Sequence, residues 1–421
     1  MLEKRKPIQV SEAVEKIMMH SLDGKKVMIP IDQCHDYYLA EDITATHDVP
    51  HFTRAPYDGY AIRAKDTAEA SRANPIEFEV VEELGAGMVP KMNVGFMQAT
   101  RIMTGTQMPE GADAVIMLEL IQELERENKK FITIKRKVAE GENVSFQGED
   151  AKTGDVIVKK GTKLNPGIKA VLATFGYAEV PVAKKPVVGL FATGTELLDV
   201  GEPLEPGKIR NSNSYMITDQ IIRAGGEAKY YGKLPDDFDT CYQAVSKALE
   251  EVDLLITTGG VSVGDYDLMP DIYKKLNAEV LFNKVAMRPG SVTTVAAMPG
   301  KILFGLSGNP SASYVGFELF ARPVIRKMLF STTPHLKKES AVLGADFPKI
   351  NPFTRFVRSY LYVEQGRLKT VPCGRDKSNV VMSLASANSL TILPGGSRGF
   401  TDGDQVEVLL LNDFEGSEWP W

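Results

Sequence analysis

Between Pro186 and Phe330 the sequence alternates strand-like and helix-like segments. "PVVGLFATG", "EAKYYGKL", "DLLITTGG" and "KILFGLSG" are short apolar runs that end in glycine or polar residues. Between and after them come "SNSYMITDQIIRAGG", "FDTCYQAVSKALEEV", "LMPDIYKKL" and "PSASYVGFELF", which carry helical spacing. Such alternation is met most simply by a parallel sheet with helices on both faces. That architecture fixes where a ligand goes: outside the carboxyl ends of the strands, where loops converge and helix N-termini point.

Three of those strand ends share one chemical character. The first reads Thr193-Gly194-Thr195-Glu196. The second reads Gly259-Gly260 followed by Ser262, Gly264, Asp265 and Asp267, and the third reads Ser307-Gly308-Asn309-Pro310-Ser311. Glycine lets a backbone approach a ligand closely, and exposed N–H groups with Ser/Thr hydroxyls form an anion cradle. Each loop alone reads as an ordinary turn. Three at one end of one sheet point to a phosphate-bearing ligand. Neither GxxxxGK[ST] nor GxGxxG occurs in them, so a Walker or Rossmann dinucleotide site is not indicated.

Carboxylates follow the same strand ends: Glu196, Asp236, Asp237, Asp265 and Asp267. Anions beside a phosphate make sense around a hard divalent cation, since Mg²⁺ is commonly held by one or two carboxylates plus phosphate oxygens. Asp236 and Asp237 also precede a helix, where capping its positive end accounts for them equally well. Asp267, beside the paired glycines, is the favoured metal ligand, and Asp265 the weaker one. Lys284 and Arg288 in "NKVAMRPGSV" read either as solvated surface charge or as anion ligands near the sheet edge.

The rest of the chain has other textures. Ser11 caps an amphipathic helix with Val14, Ile17 and Met18 on one face. Residues 48–145 break into short strand-like runs and read as an inserted β-rich domain. Residues 1–47 and 146–183 form a helical domain in two segments, with a helix starting near Pro166 and stopping at Gly176. The α/β domain takes 184–330. Residues 331–421, with a hairpin in "FTRFVRSYLYVEQGRLKTVP", read as a small β-barrel.

A net charge of −6 from 49 basic and 55 acidic residues lacks the basic footprint of a general nucleic-acid binder. Cys34, Cys241 and Cys373 are too few and too far apart for a disulfide framework, and the five histidines show no zinc spacing. With no apolar signal core and no membrane-length apolar run, the expected location is the cytoplasm, without membrane partners.

Taken in order, "DVPHFTRAPYDGYAI", "RIMTGTQMPEGADAVI", "GED", "TGTEL", "TTGGVSVGDYD", "MRPG" and "GLSGNPSAS" resemble the MoeA family, the molybdopterin molybdenumtransferases, which include the E domain of gephyrin. The resemblance covers nearly the whole chain. It implies a multidomain α+β protomer: an α/β molybdopterin-binding domain, a β-rich insert, a helical domain and a C-terminal β-barrel. It also implies a homodimer with an active site shared between subunits, and a partnership with the molybdopterin adenylyltransferase. The implied reaction inserts molybdate into the dithiolene of adenylylated molybdopterin, with Mg²⁺-dependent hydrolysis releasing AMP.

Residue roles follow from the same resemblance. Asp58 and Thr104, which the residues alone would leave as a turn and a loop, match polar positions on the inserted module, and Asp150 matches an acidic one. Glu196, one of Asp236 and Asp237, and Asp267 match acids around the nucleotide and metal site. Lys284 and Arg288, with Arg355 or Arg358 and with Ser378, match positions that hold molybdate. The chain departs from the family pattern at "RAPYDGYA" for "SAMDGYA", "RPGSV" for "KPGKP", "SGNP" for "PGNP", and "NVSFQ" where arginines are usual. An adenylyltransferase acting from ATP and a clustering scaffold are the rival readings. The inserted module and the barrel argue against the first, and the lack of a fused adenylyltransferase domain against the second.

Overall fold

The computed structural model describes residues 6–235, 237–260, 268–350 and 352–411. The chain forms two compact units: Asp42–Lys159 with Gly167–Ala178, and the remainder of the described chain.

In the larger unit a six-stranded sheet has the spatial order Glu227–Leu234, Val187–Thr193, Leu254–Thr258, Lys301–Leu306, Thr294–Met298, Glu279–Phe282. The first four are parallel, as the alternation requires, and the last two continue the sheet antiparallel. Residues such as Leu190, Ile256 and Phe304 are fully buried between the helical layers. Each such side chain contributes about 1.5–3 kcal/mol. The helix Asn213–Ala224 ends on Gly225 at φ 98°, a left-handed stop suited to glycine. The helix Phe238–Glu251 is capped by Asp237, whose carboxylate accepts from Thr240 N. The N-terminal helix Val10–Met19 adds Ala13 and Ile17 to the same core; Gln9, and not the expected Ser11, stands at its N-cap, and Ser11 lies in the first turn.

The C-terminal strands close on themselves. Thr354–Glu364 pairs with Arg367–Pro372, then come Lys338–Leu343, Gln405–Leu410 and Ser389–Leu393, which pairs back to Thr354–Glu364. The expected hairpin turns at Gln365 and Gly366, both at positive φ. The closing strand Lys338–Leu343 was not legible as a strand. It comes from the plain run "KESAVL", which becomes a strand by pairing on both sides. A two-residue strand, Met287–Arg288, adds to the outside of the barrel in parallel with Thr354 and Arg355. Barrel residues Phe356 and Leu390 share the core that also holds Phe317 and Phe320 of the α/β helices.

The smaller unit is built on a second six-stranded sheet, ordered Ala114–Met117, Gly59–Ile62, Gln98–Ile102, Ile76–Leu84, Lys129–Ile134, Ile121–Arg126. Phe78, Ile116 and Ile132 fill its core. The helix Pro166–Thr174 starts and stops where Pro166 and Gly176 place it. Among the described residues no helix is long and apolar enough to cross a membrane.

Candidate active site

The carboxyl ends of all four parallel strands open onto one cavity of about 750 Å³. Thr193, Leu234, Thr258 and Gly308 reach it from the four strands. Gly259 and Gly260 stand at φ 87° and 62°. A Cβ on Gly259 would lie 2.7 Å from both the carbonyl oxygen and the hydroxyl of Thr193, and one on Gly260 would lie 2.9 Å from that hydroxyl. The paired glycines are therefore required by the closeness of the first loop as well as by backbone conformation. Thr193 Oγ1 donates to Thr258 O at 3.1 Å, and Gly259 N donates to Leu306 O at 2.9 Å, which ties three strand ends into one floor.

The third loop is held by residues that sequence reasoning missed. Asn213 Nδ2 donates to Gly308 O at 2.8 Å, while Asn213 Oδ1 is buried with no hydrogen-bond partner among the described residues. Asn211 beside it donates to Ser214 Oγ and to Tyr230 OH, both at 2.9 Å. The only signal for these two asparagines was their place at the start of a helix. Leu268, Met269 and Ile272 make an apolar wall opposite. Ser307 Oγ accepts from Asn309 N at 3.2 Å. Ser311 is fully buried, and its N and Oγ donate to the carbonyls of Ser378 and Val380. Its side chain therefore anchors a neighbouring loop.

Of the carboxylates, Glu196 lines the cavity and folds back over Gly194. Asp237 lies at the cap, where hydrogen bonds from the Thr240 hydroxyl and N–H lower its pKa from the usual carboxylate value. Asp236, Asp265 and Asp267, with Ser262 and Gly264, lie outside the described residues. Among the described residues no three acids, histidines or cysteines gather as a metal cluster. Glu196 next to the glycine floor nevertheless fits a magnesium ion shared between protein and substrate, because that ion takes one or two carboxylates and completes its shell with phosphate oxygens and water.

A second, basic cavity of about 460 Å³ lies beside the first, and Asn379 lines both. Its cations are Arg288, Lys349, Arg355 and Lys377, with Ser378 on the same wall. The strand pair Met287–Arg288 with Thr354–Arg355 sets Arg288 directly opposite Arg355. Arg358 is 2% exposed and sits behind this wall, where its Nε donates to Ser383 Oγ at 3.3 Å and its Nη1 to Asp376 at 3.2 Å. Burial pushes the Arg358 pKa down, and Asp376 opposes that. Lys284 is half-buried outside this lining, with its carbonyl accepting from Ile8 N at 3.1 Å. Lys349, Asp376 and Lys377 were missed because nothing in "FPKIN" or "GRDKSN" distinguishes them from surface charge.

In the smaller unit Asp58 precedes the strand Gly59–Ile62, and Thr104 follows its antiparallel neighbour. Thr104 N and Oγ1 donate to Asp58 Oδ1 at 2.7 and 2.8 Å, which lowers the Asp58 pKa. Gly59 lies within a strand, where a Cβ would collide with Ile116 O. Asp150 N donates to Val49 O at 3.0 Å.

Comparison with known proteins gives matches along nearly the whole chain. The profile of the MoeA N-terminal region (domain I and II) matches residues 8–176. That of a probable molybdopterin binding domain matches 189–327, and that of the MoeA C-terminal region (domain IV) matches 340–411. The molybdopterin molybdenumtransferase of Bacillus subtilis is 57% identical over 100% of this chain and 98% of its own. That of Staphylococcus aureus strain COL is 50% identical over 99% of both. A crystal structure of the molybdopterin biosynthesis MoeA protein from Pyrococcus horikoshii superposes with a TM-score of 0.81 at 33% identity, covering 96% of this chain and all of that one. On the strength of these whole-length matches, the chain belongs to the MoeA family, the molybdopterin molybdenumtransferases.

Proposed function

We propose that this enzyme inserts molybdate into adenylylated molybdopterin and hydrolyses the pyrophosphate link with release of AMP, in a Mg²⁺-dependent reaction. The observation that carries the reading is the adjacency of two chemically different cavities with Asn379 common to both. One suits a large, partly flat, phosphate-bearing molecule. The other suits a small multiply charged anion.

In the larger cavity the backbone of Gly259 and Gly260 receives the phosphate groups without a side chain in the way. Leu268, Met269 and Ile272 take the flat face of a ring, and Asn213 Oδ1 accepts from a ring N–H. Glu196 would hold the magnesium ion, with Asp267 and either Asp265 or Asp236 as the further candidates. When bound, the ion supplies charge neutralisation on the pyrophosphate. In the basic cavity Arg288, Lys349, Arg355 and Lys377 collect the oxyanion and Ser378 donates to it. Holding both reactants side by side converts a bimolecular encounter into a positioned one. Asp58 and Thr104, a homodimer that brings them to the cleft, a cytoplasmic location and hand-over from the adenylyltransferase complete the proposal.

The test is to incubate the purified chain with adenylyl-molybdopterin, molybdate and Mg²⁺, and to follow AMP release and molybdenum bound to the pterin. Formation of both together supports the reading. Synthesis of adenylyl-molybdopterin from ATP would replace it with the adenylyltransferase reading.

A further inference from the structure

We propose that Asp376 sets the anion selectivity of the basic cavity, by fixing Arg355 in place and by limiting the cavity's positive charge. The inference rests on the reading of that cavity as the oxyanion site. Among the described residues four cations line it, a fifth stands behind it, and Asp376 is the one carboxylate on its wall.

The Asp376 side chain is only 6% exposed and is shared among three cations. Oδ2 accepts from Arg355 Nη1 at 2.7 Å and Oδ1 from Arg358 Nη1 at 3.2 Å. Lys349 Nζ lies 3.8 Å from Oδ2 and donates to the Asp376 carbonyl at 2.8 Å. Arg358 Nη2 also donates to Lys377 O at 3.2 Å, so the same pair fixes the backbone that carries Lys377 and Ser378. From the other side Ser311 holds Ser378 O and Val380 O. The segment from Asp376 to Val380 is thus clamped at both ends, and Asp376 is the clamp on the barrel side.

Molybdate, tungstate, sulfate and hydrogen phosphate are all tetrahedral oxyanions of the same charge. A field of loose cations takes each of them by charge alone and strengthens with every unpaired positive group. Discrimination among them must come from donors held at fixed positions, which reward one anion size and leave another with unmade hydrogen bonds. Asp376 supplies both requirements. It holds the Arg355 guanidinium to the wall, and it subtracts one unit from the four lining charges.

The experiment is calorimetric titration of the full chain with sodium molybdate and with sodium sulfate, in wild type and in Asp376→Asn. The preference for molybdate over sulfate is expected to fall about tenfold, chiefly through tighter sulfate binding, as relaxing a site's fixed donors predicts. The KM for the pterin substrate is expected to stay within about twofold, which a general loss of structure would not allow. Because Asp376→Asn leaves Arg358 buried without its counter-charge, Asp376→Asn with Arg358→Gln is measured alongside and should show the same lost preference. An unchanged or increased preference in a folded variant overturns the proposal. Arg288→Ala and Arg355→Ala separate the two levels of the argument. If neither weakens molybdate binding, the cavity is not the oxyanion site and both readings fall. If both weaken it while Asp376→Asn keeps the preference, only the role of Asp376 falls.

Discussion

Arg288 and Arg355 stand opposite one another on paired parallel strands, two guanidinium-bearing residues in register at the rim of one cavity. Like charges set opposite in a sheet are unfavourable unless something between them carries the opposite sign. Asp376 already offsets Arg355, and under the proposed reading of the cavity an oxyanion offsets the charge of Arg288. Arg288→Ala and Arg355→Ala should each raise the KM for molybdate by roughly 10–100-fold, the worth of one charged hydrogen bond. The KM for the pterin substrate should move little. Steady-state kinetics with each substrate varied in turn checks this, and equal effects on both would place the arginines elsewhere.

Gly259→Ala should damage the glycine floor twice, through the left-handed backbone and through the collision with Thr193. A cost of about 1–3 kcal/mol in stability is expected from such a residue. The KM for the pterin substrate should rise as the loop moves. A thermal scan with kinetics on the same preparation tests the pair of effects, and an unaltered melting profile would contradict the stated geometry.

Asn213→Ala removes the bond to Gly308 O and the buried acceptor together. About 1 kcal/mol of stability should be lost. Substrate affinity should fall further in Asn213→Asp, which can no longer donate and brings a negative charge to a phosphate-binding cavity. The order wild type, Ala, Asp in pterin affinity is the observable, and an Asp variant that binds as wild type would refute it.

Asp58→Asn and Thr104→Val alter an exposed pair, so both variants should fold normally. The proposed role then requires a fall in turnover of about 100-fold or more, the usual range for a positioned acid or base. Circular dichroism with single-turnover rates decides the matter. Wild-type rates in both variants would return the pair to a structural role.

His335 gives a stability signature in pH. Burial and the nearby Arg322 charge lower its pKa from the ordinary histidine value of about 6.5. In the window below 6.5 the unfolded chain binds a proton that the folded chain refuses, so stability falls as pH drops through it and is fully present above it. His335→Gln should flatten that part of a denaturant midpoint series measured against pH. An unchanged slope would assign the acid sensitivity to other groups.

Some of this was legible because the physics is local. The strand ends at Thr193, Thr258 and Leu306 announce themselves by an apolar run stopping at glycine, and the doubly wound arrangement fixes the side on which they open. Glu196 and the paired glycines, expected at the ligand end of the sheet, line the first cavity, and Arg288 and Arg355, expected from the family pattern, line the second. Asn213, Lys349 and Asp376 were not. Each owes its position to a partner elsewhere in the chain: Gly308 for Asn213, the Asp376 carbonyl for Lys349, and Arg355 with Arg358 for Asp376. Ser311 makes the same point in reverse. Its motif suggested ligand contact, and the fold turns its hydroxyl to Val380. Arg358 lies in the first strand of the expected hairpin, is buried there, and its guanidinium donates to Asp376.

The short pairing of Met287–Arg288 with the barrel has a bearing on how the enzyme matures. Arg288 belongs to the α/β segment and Arg355 to the barrel, so neither half alone presents the facing guanidiniums. Under the proposed reading of that cavity, a nascent chain must finish its C-terminal strands before it can hold an oxyanion there. On that reading, the order of synthesis places anion capture after translation of the last strands.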